Sequence, residues 1–188
     1  MIDSSQDDEG LVAQLRRRLR QAEADADAAR RALAAADQRS SWAMTLFAVS
    51  WRLHQARTAA ALFAALDEVA AEVLDGRALA VYLREPGGSG LRLAHAGRGP
   101  GLPASAVLGE GLVGRAAAEG RTQHAPAAGD GPCLAIPLGA PPRVLGALAV
   151  HDPARAGPLD ADRTELLQVV ARIAAHQLPE LLPLPTHP

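Results

Sequence analysis

Between Asp7 and Arg39 apolar residues recur at alternating spacings of three and four, with no proline and no glycine after Gly10. With Val12 at heptad position a, Leu15 falls at d. Leu19, Ala22, Ala26, Ala29, Leu33 and Ala36 continue the series before Ser40 and Ala43. A sustained 3.5-residue period predicts a coiled-coil helix over residues 7–41, after a disordered start at residues 1–6. In a parallel, in-register pair a g residue faces the e residue five positions on in the partner helix. That sets Arg18 against Glu23 and Asp25 against Arg30, both complementary. Each exposed pair contributes only ~0.2–1 kcal/mol, so the charges set orientation more than strength. The seam is largely alanine, which buries little area. A single alanine-rich helix folded back on its own domain is the alternative to a parallel homodimer.

From Trp42 to Leu74 the helical pattern continues with a different character: a connecting helix over residues 42–57, then the first helix of a domain. Four of the five aromatic residues lie here, Trp42, Phe47, Trp51 and Phe63. Trp42, Leu46, Val49 and Leu53 share one face, and Phe47, Trp51 and His54 another. A helix apolar on two faces is buried on two sides. We therefore expect one side on the domain and Phe47 to extend the dimer seam. Leu62, Leu66, Val69 and Val73 carry the stripe to a stop at Asp75-Gly76.

Beyond it the period changes. Ala78 to Arg84 and Leu91 to Ala96 read as a hairpin across Pro86-Gly87-Gly88-Ser89-Gly90, and residues 97–103 as loop. Gly111 to Glu119 reads as a short helix closed by Gly120, and Arg121 to His124 as an edge strand. Leu134 to Leu138 and Val144 to His151 form a second hairpin across Gly139-Ala140-Pro141-Pro142. Asp160 caps a last helix that reaches Leu178, before a Pro-rich tail at residues 179–188. Helix, two strands, helix, three strands, helix predicts an α+β domain, an antiparallel sheet with helices on its faces.

Composition narrows the chemistry. Apolar residues make up 48% and aromatics 3% of 188 residues, so the core is built from Leu, Val, Ile and Ala. Net charge is -2, there is no lysine, and the run Arg16-Arg17-Arg18-Leu19-Arg20 is flanked by acids. This gives no basic track for nucleic acid. The acidic start has no basic n-region or apolar h-region, and no stretch approaches a membrane span, so a cytoplasmic protein without membrane contact is expected. One cysteine, Cys133, leaves no disulfide framework and no Cys-rich zinc site. It reads as a small buried hydrophobe at a strand start. No metal site is expected, and no nucleophile elbow or paired-carboxylate set emerges.

Gly109-Glu110-Gly111-Leu112-Val113-Gly114-Arg115, then Leu134-Ala135-Ile136-Pro137-Leu138 and Arg143-Val144-Leu145-Gly146-Ala147-Leu148-Ala149-Val150, resemble in that order the GAF domain, a small sensory α/β module. The resemblance covers residues 58–178 and implies a GAF-like sheet with its first and last helices together on one side. It also implies a family of known chemistries. Members that bind cyclic nucleotides carry an Asn-Lys…Phe-x-x-x-Asp-Glu signature. Phe63-Ala64-Ala65-Leu66-Asp67-Glu68 matches its second half in letters only, ahead of the strands and without any lysine. Bilin-binding members use a cysteine in a setting Cys133 lacks, and members that reduce free methionine sulfoxide use several cysteines. The expectation is therefore a protein without enzymatic activity and with no required cofactor. Family members that bind ligands carry a longer segment, acting as a lid, where this chain has only Ala125 to Pro132. A pocket would draw on Tyr82, His95, His124, Cys133 and His151. The three histidines are near strand ends and could converge at one rim to hold haem or another small molecule. His54 and His176 lie on helices, and the tail reads as a frayed terminus rather than a docking peptide. The expected function is a regulatory or scaffold protein, dimerised in parallel and acting through an unidentified protein partner. A nucleotide, metabolite or haem sensor signalling through its helices is the alternative.

Overall fold

The computed structural model describes residues 4–74, 77–88, 90–97, 102–125, 132–151 and 159–182, with side chains from residue 14 onward. It divides into two compact units, residues 1–46 and 47–188.

The first unit is helical throughout its described length, the major part of α1 (Ser4–His54). The helix begins at Ser4, inside the segment expected to be a disordered start. Leu15, Leu19 and Leu33, all on the heptad seam, are 55%, 60% and 63% exposed. Polar side chains pair along the helix instead. Gln21 Nε2 donates to Asp25 Oδ1 at 2.9 Å, and Arg30 meets Asp27 at 2.8 Å. Such pairs one turn apart support a helix by a few tenths of a kcal/mol each.

The second unit opens with the last turns of α1, which bury Val49 and Leu53 and leave Phe47 and Trp51 exposed and stacked on each other, ring centroids 6.4 Å apart. Arg52 binds Glu72 at 2.8 Å and Glu68 at 3.5 Å, tying these turns to α2 (Ala59–Val73). The break between the two helices falls where the connecting helix was expected to give way to the domain. Thr58 adopts extended backbone and its hydroxyl accepts the Ala61 N–H at 3.1 Å, a side-chain cap that starts a new helix.

Strands β1 (Ala78–Arg84), β2 (Gly90–Ala96), β3 (Ser105–Val107), β4 (Gln123–His124), β5 (Pro132–Leu138) and β6 (Gly146–His151) form one antiparallel sheet in the order β3-β2-β1-β6-β5-β4. Helix α3 (Gly111–Glu119) lies between β3 and β4, and α4 (Ala161–Leu181) closes the unit. The Asp160 carboxylate accepts the Arg163 N–H at 2.7 Å and so starts α4. Helix α4 runs through Pro179 instead of stopping before it. In the last turn the missing proline N–H costs one bond, and the Leu182 N–H still reaches Leu178 O at 2.8 Å.

The central strands alternate large and small residues, and this decides the layers. Val81 pairs Leu148, Leu79 pairs Val150 and Ile136 pairs Leu148, giving one face of branched residues. Helices α2 and α4 touch each other and cover that face, α2 over β1 and α4 over β5. On the other face Ala80, Ala147, Ala149 and Ala135 surround Tyr82, and α3 packs there through Val113, Ala116 and Ala117. Alanines on both sides let α3 lie close to the sheet. Gly114 extends this, since a Cβ there would run into the carbonyl oxygen of Val107.

Candidate functional site

The α3 face of the sheet carries two of the expected pocket residues. Tyr82 is buried under α3, and its hydroxyl donates to the carbonyl oxygen of Pro103 at 3.1 Å. Burial without a charged partner pushes the phenol pKa up. His151 ends β6 opposite Ala78 of β1 and Pro132 of β5, on the same face as Ala147 and Ala149. It is 8% exposed, and its Nε2 has no hydrogen-bond partner among the described residues. Burial lowers its pKa, favouring neutral imidazole. Tyr82 lies opposite Ala147, four residues from His151 along β6, so the two are separated by roughly 13 Å of strand. They mark the covered and outer ends of one alanine-lined strip.

The other expected residues do not join them. His95 pairs with Val81 and faces α2, where Nε2 meets Asp67 Oδ1 at 2.9 Å and the ring stacks on Phe63 at 4.8 Å. This corrects the convergence of three histidines at one rim, since His95 and His151 lie on opposite faces of the sheet. A register shift between Val81 and Tyr82 is the cause, because the extra residue on β2 reverses the side on which His95 emerges. Phe63 and Asp67, the letters shared with the cyclic-nucleotide signature, hold this histidine from one helix face. His124 is exposed on the edge strand β4, opposite Leu134. Cys133 occupies a second register shift, half-buried, with its thiol donating to Val150 O at 3.3 Å. Among the described residues no three His, Cys, Asp or Glu side chains form a group able to hold a metal ion. The expected short lid falls largely on residues 126–131, outside the described residues.

A six-stranded antiparallel sheet, with first and last domain helices on one face and a glycine-led short helix on the other, defines a three-layer α+β module. The GAF domain family model matches residues 58–179, and the chain belongs to that family. Its domain therefore has a regulatory, sensor-type fold. The GAF domain of a phosphoenolpyruvate-protein phosphotransferase from Coxiella burnetii superposes with a TM-score of 0.62 at 14% identity, covering 74% of this chain and 93% of that one. The second GAF domain of DevS from Mycobacterium smegmatis gives 0.53 at 20%, covering 64% and 94%. Free methionine-R-sulfoxide reductase from Neisseria meningitidis, in complex with its substrate, gives 0.60 at 20%, covering 74% and 89%. No curated protein matches the sequence.

The reductase likeness corrects the expectation of no enzymatic activity. The same fold houses an enzyme, and counting cysteines does not remove that class, because one thiol can act on a sulfoxide while an external thiol resolves the product. Among the described residues no helix is long and apolar enough to cross a membrane.

Proposed function

We propose that the chain is a regulatory protein that works as a parallel homodimer, pairing two copies through α1 and presenting its GAF domains to a separate protein partner. The observation that carries this reading is the line of exposed Leu15, Leu19, Leu33 and Phe47. All four fall at heptad a or d positions, where a second helix would cover them. Exposed apolar side chains in a continuous line mark an interaction surface, whereas scattered ones need no explanation. Met44 and Trp51, 72% and 61% exposed, flank Phe47 at e positions and supply the large anchors an alanine seam lacks. The charges support the parallel orientation.

The test is a charge reversal followed by sedimentation. Arg18→Glu turns both symmetric contacts of the dimer into like-charge pairs and should weaken association. Adding Glu23→Arg should restore it. Equal weakening by the single and the double variant would remove the parallel register.

A small-molecule sensor is the second reading, and the orphaned Nε2 of His151 favours it. A buried imidazole nitrogen without a partner is a costly group that a ligand on the α3 face could satisfy. Thermal shift with nucleotides, haem and common metabolites tests it. A rise that persists in His151→Leu would remove His151 from the site.

A further inference from the structure

Helix α4 borders a cleft on the sheet face opposite Tyr82 and His151. Gln168, Arg172 and His176 follow one another at one-turn spacing along its rim. Facing them are Ile136 and Pro137 of β5 and Ala140 of the turn beyond it. Strand β4 pairs with β5 only at Gln123–Ala135 and His124–Leu134, and Gly120 and Thr122 just before it also line the cleft. Gln168 Nε2 donates to Thr122 Oγ1 at 3.3 Å and fixes one end. The cleft is open to solvent and has a volume of about 520 Å³.

The two walls differ in kind. One is apolar. The other carries an arginine and a histidine, both exposed, and no acidic side chain lines the cleft among the described residues. Among the described residues neither Arg172 nor His176 has a hydrogen-bond or ion-pair partner, whereas Arg52, on the same unit, is held by two glutamates.

We propose that this cleft binds a small amphiphilic monocarboxylate. The carboxylate takes the Arg172 guanidinium, whose planar donors match it in bidentate geometry, with His176 one turn further along the rim. The apolar body lies against Ile136, Pro137 and Ala140. A phosphate dianion fits less well. The wall of Ile136, Pro137 and Ala140 suits a ligand with an apolar body, which inorganic phosphate lacks.

Titration calorimetry on the full chain tests this with octanoate as the probe, and octan-1-ol and inorganic phosphate as controls. Octanoate should bind saturably, and neither control should bind or displace it. Arg172→Gln should weaken binding about tenfold or more, the effect of losing a charged hydrogen-bonding partner. Ala140→Phe, which fills the apolar wall from an exposed position, should weaken it comparably while leaving Arg172 in place. The proposal is overturned if octanoate fails to saturate, if Arg172→Gln binds it equally well, or if phosphate displaces it.

Discussion

Replacing Gly114 by alanine sets two effects of opposite sign against each other. Alanine is the better helix former by about 1 kcal/mol, and position 114 lies in α3, so a free helix would gain. In the folded domain the added Cβ would overlap the carbonyl oxygen of Val107 and come within 3.2 Å of the Gly109 nitrogen. Both are backbone atoms already committed: Val107 O accepts the Glu110 N–H at 3.1 Å, and the Gly109 N–H donates to Gly114 O at 2.9 Å. No side chain can rotate away, so α3 must move off the alanine face or the turn must open. Overpacking of this kind costs about 1–3 kcal/mol beyond any local gain. We therefore expect Gly114→Ala to lose about 1–3 kcal/mol in urea unfolding, and the melting temperature to fall by roughly 4–12 °C. Gly111→Ala is the matched control. Its φ of 58° strains an alanine, but no other group lies within 4 Å of the added carbon, so it should lose only about 1 kcal/mol. A Gly114→Ala protein as stable as the parent would refute the close docking of α3 on β3.

Three further outcomes follow from the same geometry. Because burial holds the folded pKa of His151 below its ordinary value of 6.5, the folded state binds fewer protons than the unfolded chain as pH falls past that value. Stability should therefore drop with falling pH, by at most about 1.4 kcal/mol per pH unit for this one group, and level off below the folded pKa. His151→Leu should remove that contribution; a parent-minus-variant difference that stays flat between about pH 5 and 7.5 would count against the burial. His95→Ala removes both the Asp67 hydrogen bond and the Phe63 stack, and should cost about 1–3 kcal/mol in denaturant unfolding, whereas a change below experimental error would mean the α2 contact is idle. Cys133 is the chain's single thiol, so any turnover of free methionine-R-sulfoxide with an external dithiol should vanish in Cys133→Ser; turnover that survives would place the chemistry elsewhere.

The long N-terminal helix, the two hairpins and α3 were legible because each repeats a simple period or sits between glycines that stop it. Gly111–Glu119 emerged with the expected bounds. Features that depend on one or two residues were not. Strand β3 has three residues and pairs with Gly90, Leu91 and Arg92, too short for any alternation to register. His95 shows the limit most clearly. Counting by twos from Leu91 and Leu93 puts it beside Tyr82, and a single extra residue in β2 sends it to α2. The α4 cleft was missed for a related reason. Arg172 and His176 are exposed helix positions, and nothing in the helical period marks the space beside them.

Sedimentation equilibrium of the full chain at micromolar concentration tests the central claim most directly. The account predicts a mass of two 19.5 kDa chains, shifting toward one when Leu19, Leu33 and Phe47 are replaced together by serine. Those changes leave the buried Val49 and Leu53 face intact, so the circular dichroism of the GAF domain should persist. A parent chain that sediments as a monomer, or a triple variant that remains dimeric, would contradict it.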